Sequence, residues 1–284
     1  MSMTVSVLIG LFGLLSSAEK ATAQNKSLIN NNYCGFQHTD DYNRDDDNIT
    51  IDEFPWMAQL LFTSQRKTLC TGSLISYRYV LTAAHCIISK TSPPVAVRLG
   101  DFNTTSDNDC IDTTRFSKQC SDPAKEIEIE ELIPNPDYVR FSPDSDIGLI
   151  RLSANVEFTD YVRPICLALN SLVLTGQHQF VTSGWGRIGV GQKQTEVKKK
   201  IIAESVPLER CREKYWKVSD KNLCVVHNES RICSGDNGGP LMVSIKNQWH
   251  QIGILSIGDC RSRFPSGYVK VADYIDWIIQ HMRK

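Results

Sequence analysis

Gly235-Asp236-Asn237-Gly238-Gly239-Pro240 is the last of three short stretches that together indicate the fold of this chain. Leu81-Thr82-Ala83-Ala84-His85-Cys86 and Asp146-Ile147-Gly148-Leu149-Ile150 precede it, so a histidine and an aspartate come before the glycine-rich turn. A histidine of near-neutral pKa can accept a proton, and a buried carboxylate can fix its tautomer. The side chain at the centre of the turn, Asn237, is a carboxamide without an ionisable hydroxyl.

The chain has 284 residues, 41% of them hydrophobic, which is enough for one sizeable core. Short apolar or alternating runs lie between polar stretches that contain Gly or Pro, a pattern typical of an antiparallel barrel or sandwich. The predicted strands are 57–62, 73–81, 95–99, 126–130, 147–152 and 180–183. A closing helix is predicted by apolar residues at helical spacing, namely Val271, Tyr274, Ile275, Ile278 and Met282.

The three stretches, in the order His, Asp and then the position of a nucleophilic serine, resemble the chymotrypsin-like serine proteases over about residues 55–284. Segments 53–58 and 163–167 are similar to those of arthropod extracellular proteases that often carry an amino-terminal clip domain. The resemblance implies an all-β fold of two antiparallel six-stranded barrels with a C-terminal α-helix. A clip domain needs six cysteines before the protease unit, and Cys34 alone precedes it, so we expect no clip domain.

The amino-terminal residues predict export from the cell. An apolar run from Val5 to Leu15, too short to span a bilayer, and a small-residue tail predict a signal peptide over 1–23, with a cut after Ala18 as the alternative. Residues 24–54 are polar and are expected to form an arm tied by Cys34, followed by the protease-like domain over 55–284. A secreted, extracellular protein could carry glycans at its four sequons, Asn25, Asn48, Asn103 and Asn228.

Ten cysteines in an exported chain predict five disulfides, whose pairing the residues alone leave open. The family resemblance implies the pairs Cys34 with Cys166, Cys70 with Cys86, Cys110 with Cys120, Cys211 with Cys224, and Cys233 with Cys260. The formal net charge of −1 argues against a nucleic-acid partner, and no later segment is long and apolar enough to span a membrane. The run Lys198-Lys199-Lys200 is expected to be a solvated loop or strand edge.

The resemblance also assigns the site. His85, Asp146 and Asn237 match the catalytic positions, with Asn237 in place of the serine, and the backbone N–H groups of Gly235 and Asn237 match the oxyanion hole. Ser256 matches the serine that hydrogen-bonds the aspartate. Because Asn237 has no hydroxyl proton to give, the preferred interpretation of His85 is a core histidine satisfied by a carboxylate.

Two further departures from the family pattern concern activation and specificity. Asp236 matches the acid that pairs with a new Ile-Val-Gly-Gly terminus, yet Arg44 is followed by three aspartates, so we expect this carboxylate to be unpaired and its loops partly mobile. Arg231 stands where trypsins hold a pocket aspartate, which disfavours trypsin-like cleavage. The entrance of this specificity pocket is expected at Ser256, Gly258 and Ser266.

Metal chemistry is not expected. The loop 101–120 resembles the family's calcium-binding loop in position, but Asp101, Asp107 and Asp109 have the irregular spacing of an ordinary solvated loop, so calcium is only an alternative. Zinc is less favoured still, because the cysteines have disulfide partners. The site is therefore predicted to hold no cofactor.

These features predict a secreted, catalytically inactive serine protease homologue that binds extracellular proteins such as cascade proteases or their substrates. The resemblance implies a cofactor, decoy or regulator in an arthropod immune or melanisation cascade. One alternative is a serine endopeptidase in which Asn237 is a variant or engineered change. Another is a toxin or venom component that blocks a host cascade.

Overall fold

Two closed antiparallel β-barrels make up most of the chain, as predicted. The computed structural model describes residues 33–37, 49–62, 67–114, 117–168, 179–227, 234–259 and 264–283. The strands of the first barrel are β1 (Met57–Phe62), β2 (Lys67–Leu74), β3 (Tyr79–Thr82), β4 (Pro94–Leu99), β7 (Lys125–Pro134) and β8 (Gly148–Leu152). They close in the order β1-β2-β3-β8-β7-β4, and β5 (Cys110–Thr114) and β6 (Ser117–Cys120) form a separate hairpin.

The second barrel is built from the carboxyl-terminal half of the chain. Its strands are β10 (Phe180–Gly184), β11 (Lys199–Ser205), β12 (Asn222–His227), β13 (Pro240–Ile245), β14 (Gln248–Ile257) and β15 (Ser266–Lys270). Pairing of β13 with both β10 and β14 closes this sheet, and the short strand β9 (Cys166–Leu167) joins its edge parallel to β14.

The helices within the described residues are few and short. They are α1 (Ala84–Ile87), α2 (Leu208–Arg212) and α3 (Ile275–His281), and a 3₁₀ turn over Val271–Tyr274 leads directly into α3. The apolar residues that predicted this last helix are all buried. In the part of the chain that the structure describes, no helix combines the length and apolarity needed to cross a membrane.

One predicted strand is wrong. The expected single strand over 73–81 is two strands, because the N–H of Ile75 donates to the carbonyl of Tyr79 at 2.9 Å and closes a tight turn between β2 and β3. By contrast, β7 has one side exposed to solvent, as the alternating sequence predicts. Its glutamates at 126, 128 and 130 are exposed, and the isoleucines between them are half-buried.

The chain entering β1 is packed into the fold. Ile51, Glu53 and Phe54 are buried, so burial extends upstream of residue 55. Four of the predicted disulfides are confirmed, namely Cys34–Cys166, Cys70–Cys86, Cys110–Cys120 and Cys211–Cys224. The predicted pair Cys233–Cys260 lies outside the described residues.

Candidate functional site

His85 and Asp146 form a tightly coupled pair at the junction of the two barrels. His85 lies in α1, immediately after β3, and Asp146 lies two residues before β8, to which β3 is paired. The carboxylate accepts from His85 twice, from the backbone N–H at 2.8 Å and from Nδ1 at 2.7 Å. Because a carboxylate faces Nδ1, that nitrogen carries the proton, and Nε2 is left as the acceptor.

Ser256 and Tyr138 complete the surroundings of this carboxylate. Ser256, near the end of β14, donates its hydroxyl to Oδ2 of Asp146 at 2.6 Å. The Asp146 side chain is only 2% exposed, so its charge depends on these donors. Burial, together with the negative charge of Asp146, raises the pKa of Tyr138 to about 12. The predicted histidine, aspartate and supporting serine are therefore brought together.

Asn237 stands in a sharp turn fixed by two glycines. Gly235 and Gly238 have φ values of +109° and +82°, which an L side chain rarely adopts. A Cβ at Gly238 would lie 2.2 Å from Oγ1 of Thr82, so this turn also packs too closely for a side chain. The carbonyl of Asn237 accepts from the N–H of Thr71 at 2.8 Å, which ties the turn to the first barrel.

Asn237, which is half-buried, lines a cleft of about 680 Å³ together with His85 and Asp146. Tyr138, Arg140 and Phe141 line one side of the cleft, and Ser256, Ile257 and Gly258 also line it. Such a site can hold an extended ligand beside a histidine that is able to accept a proton. The side chain of Asn237 has no hydroxyl group. It therefore supplies neither the hydroxyl proton that the histidine would accept nor the oxygen nucleophile of serine-type acyl transfer.

A family model for trypsin matches residues 44–278 of the chain. The chain belongs to the trypsin family. One relative of this trypsin-family chain is CLIP domain-containing serine protease B9 of Anopheles gambiae, 37% identical over 253 residues, which are 84% of this chain and 62% of that protein. Another is phenoloxidase-activating factor 1 of Holotrichia diomphalia, 38% identical over 270 residues, 89% of this chain and 73% of that protein.

Among solved structures, the Grass clip serine protease of the Drosophila Toll pathway resembles this trypsin-family chain with a TM-score of 0.78 at 26% identity. The match covers 90% of this chain and 77% of the Grass chain. The expected relationship to clip-type proteases is therefore confirmed.

The carboxylate of Asp236 has a cationic partner, so the expectation that it would be unpaired is wrong. Lys199 places Nζ 3.1 Å from Oδ2 of Asp236 and also donates to the carbonyl of Gly186 at 2.9 Å. The N–H of Gly186 donates to Oδ1 at 2.7 Å. Sequence reasoning missed Lys199, although a buried acid that has lost its usual partner is itself a signal to look for another cation.

The lysine run is also not a solvated edge. Lys198 and Lys200 are buried, and both contact Glu53, a residue with no exposed surface in the segment that leads into β1. Lys198 donates to the backbone carbonyl of Glu53 at 2.6 Å, and Nζ of Lys200 lies 3.2 Å from its Oε1. The alternation of side chains along an extended chain sends Lys199 to the opposite side.

The predicted specificity pocket is only partly described. Arg231 lies outside the described residues, whereas Ser266 is buried in β15, and Gly258 is exposed beside the cleft. A Cβ added to Gly267 would lie 2.8 Å from Cγ2 of Ile257, so an apolar side chain covers this part of β15. The hydroxyl of Ser256 faces Asp146.

The loop suggested for calcium is held by an arginine. Arg98 contacts Asp101 at 2.9 Å and Asp107 at 2.8 Å, and Asp109 accepts from the backbone N–H groups of Phe102 and Asn103. Arg98 pairs with two of these acids and N–H donors within the loop hold the third, so the three carboxylates already have partners in the chain and do not form an open calcium site. The described residues include one close group of potential metal ligands, Cys70, His85 and Cys86, and its two sulfurs form a disulfide.

Of the four sequons, one falls within the described residues. Asn103 is partly exposed, and its side-chain oxygen accepts from the N–H and hydroxyl of Thr105 within the same sequon. Asn25, Asn48 and Asn228 lie outside the described residues. Glycosylation stays a prediction at all four positions, as do secretion and the oxyanion hole at Gly235 and Asn237.

Proposed function

We propose that this protein is a secreted, catalytically inactive trypsin-family protein that acts by binding, as a cofactor or regulator of an extracellular protease cascade. The observation that carries the proposal is the carboxamide of Asn237 in the cleft beside His85 and Asp146. In a serine protease of another fold, loss of the nucleophile lowers turnover on the order of a million-fold, so the scaffold is left with its binding capacity.

The relatives support an immune cascade as the setting. Two of them are named phenoloxidase-activating factors 1 and 3, both from Holotrichia diomphalia, and one solved relative belongs to the Drosophila Toll pathway. By this analogy the partners are cascade proteases or their substrates, and the pathway is innate immunity or melanisation. The cleft is the binding face that fits such partners, because exposed Phe141, with the guanidinium of Arg140 5.1 Å from its ring, lies at its margin.

A direct test compares the wild-type chain with Asn237→Ser and with Asn237→Ser/His85→Ala. Each purified protein is treated with a trypsin-like protease and then with a serine-directed fluorophosphonate and a series of peptide esters. The wild-type chain is expected to show neither labelling nor turnover above the double variant. Turnover by the wild-type protein that disappears in a His85→Ala variant would overturn the proposal.

The binding role has its own test. A prophenoloxidase-cleaving protease and its substrate are mixed with and without the wild-type chain, and the cleavage rate is followed on gels. We expect the chain to change this rate, and we expect Phe141→Ala to weaken the effect without changing the melting temperature, because Phe141 is 80% exposed. No effect at any concentration up to saturation of the assay would contradict a cofactor role for this reaction.

A serine endopeptidase with a variant residue at 237 is the second candidate. The contacts that favour it are those of Asp146 with His85 and Ser256, which retain the arrangement that a serine nucleophile would need. Labelling of Asn237→Ser alone, together with gene copies that encode serine at 237, would support this candidate. Gene copies that uniformly encode asparagine would exclude it.

A further inference from the structure

The buried carboxylate of Asp236 lies at the centre of the turn that carries Asn237. Its side chain is 1% exposed, and a negative charge at such a depth needs a compensating cation. Asp236 also supports the turn through its backbone, since its carbonyl accepts from the hydroxyl of Thr71 and from the N–H of Gly239, each at 3.0 Å. The backbone of Asp236 is therefore tied to β2 and to the residues that follow Asn237 in the turn.

Two separate segments, the start of β11 and the stretch 184–186 at the end of β10, meet at this carboxylate. Lys199, the first residue of β11, bridges Oδ2 of Asp236 and the carbonyl of Gly186, and the N–H of Gly186 returns to Oδ1. A Cβ at either Gly184 or Gly186 would lie 2.3 Å from a carboxylate oxygen of Asp236. The side chain thus occupies a space that exists only because both neighbours are glycines.

Lys199 is anchored independently of any chain terminus. Its neighbours, Lys198 and Lys200, are held by Glu53, so the backbone around Lys199 is fixed from the opposite side. The charge of Lys199 also reaches further into the second barrel, where burial, assisted by Lys199, lowers the pKa of His227 to about 4. A rigid strand and an ammonium group within the polypeptide can therefore hold Asp236 without a newly cut amino terminus.

We propose that Lys199 is a positioning residue that keeps the turn 234–239 and the cleft around Asn237 assembled in the uncut chain. Proteolysis at Arg44 is then not required to form the binding face. The sequence agrees with this, because a cut after Arg44 would expose Asp45-Asp46-Asp47, which would repel Asp236 instead of pairing with it. The inference holds whether or not Asn237 leaves the site inactive, so it goes beyond the proposed function.

The test uses the full chain with Arg44→Gln, which keeps it uncut. Lys199→Gln, Lys199→Arg and Lys193→Gln are compared in this background, the last being an exposed lysine in the neighbouring loop. Hydrogen exchange is measured over 184–194, 234–240 and, as an internal reference, 57–62. Lys199→Gln is expected to speed exchange in the first two segments by about ten- to hundredfold, with Lys199→Arg and Lys193→Gln close to the parent. Unchanged exchange in a folded Lys199→Gln protein would overturn the proposal.

A second readout separates positioning from general stability. In the background Arg44→Gln/Asn237→Ser, fluorophosphonate labelling of the uncut chain is expected to fall at least about tenfold with Lys199→Gln and to recover with Lys199→Arg. If the Asn237→Ser chain is labelled only when Arg44 is retained and cut, a new terminus and not Lys199 assembles the cleft. If it is labelled in neither form, the exchange data decide.

If Lys199→Gln fails to fold, the double variant Lys199→Gln/Asp236→Asn tests whether Lys199 acts by pairing with Asp236. Neutralising both partners removes the carboxylate charge that Lys199→Gln alone would leave unpaired. The side-chain oxygen of the introduced asparagine can still accept the hydrogen bond from the N–H of Gly186. Recovery of the folded state in the double variant would support the pairing role. Failure to recover, with Asp236→Asn alone folded, would contradict it, because the lysine would then be needed for something other than this carboxylate.

Discussion

Ser256 donates a hydrogen bond from Oγ to Oδ2 of Asp146 at 2.6 Å, and this contact joins the second barrel to the first. The same oxygen lies 2.7 Å from Nδ1 of His85. A network of this kind is valuable to the fold even where no reaction follows, because the carboxylate is buried and must be satisfied. Its presence here is therefore compatible with an inactive site.

Removing the donor should have a measurable cost. Ser256→Ala is expected to lower the free energy of unfolding by about 1 kcal/mol, whereas Asp146→Ala should lower it by about 2 to 3 kcal/mol because it leaves two donors of His85 without an acceptor. Urea denaturation measures both, and Ser153→Ala, at an exposed position, is the matched control. Equal stability of all three variants would mean that the network adds nothing to the fold.

The arm around Cys34 should stay attached after cleavage. Cys34 is bonded to Cys166, and Gly35 beside it donates to the carbonyl of Pro164 and accepts from the N–H of Trp249, each at 2.8 Å. A trypsin-like cut at Arg44 should therefore give one band on a non-reducing gel and two on a reducing gel. Release of the small fragment without reductant would contradict this, and Arg44→Gln identifies the band that depends on this cut.

Much of the fold and part of the site could be predicted from the sequence, because short local motifs identify them. His85, Asp146 and Ser256 belong to short stretches that are specific for one fold, and the disulfide pairing came with the same resemblance. Lys199 could not be found in this way. A run of three lysines has the composition of a solvated segment, and only the pairing of β11 with its neighbours places Lys199 near Asp236 and Lys200 near Glu53.

The turn between β2 and β3 was missed for a related reason. The residues from 73 to 81 are nearly all compatible with a strand, and the break depends on the hydrogen bond from Ile75 to Tyr79 and not on a glycine or proline. Arg98 is a further case, because a single arginine has no local signature that marks it as the partner of acids three and nine residues later.

The pairing of Arg98 with Asp101 and Asp107 predicts that calcium does not change the stability of the protein. Asp101 is buried, and burial raises its pKa while Arg98 opposes this shift. The melting temperature of the wild-type chain should therefore be the same in millimolar calcium and in EDTA. Arg98→Gln should lower the free energy of unfolding by about 2 to 3 kcal/mol, because Asp101 loses its charged partner. A calcium-dependent rise in melting temperature of the wild type would show that the ion competes with Arg98.

Lys198 predicts an unusual dependence of stability on alkaline pH. Its ammonium is buried, and burial lowers its pKa to about 8, against the attraction of Glu53 and the aspartates nearby. A lysine whose pKa falls on folding favours the folded state most when both states are deprotonated, above about pH 10.5. That contribution declines as the pH drops from about 10.5 to about 8, because only the unfolded chain takes up the proton in this range, and it levels off below pH 8, where the folded protein takes up the proton as well.

The measurement compares wild type with Lys198→Met in urea at several pH values from 7 to 10. The difference in unfolding free energy, wild type minus variant, should rise with pH above 8, by up to about 3 kcal/mol toward pH 10.5. Lys221→Met, at an exposed position, should show a flat difference over the same range. A flat difference for Lys198→Met as well would mean that the Glu53 carbonyl and the surrounding acids keep this ammonium charged throughout.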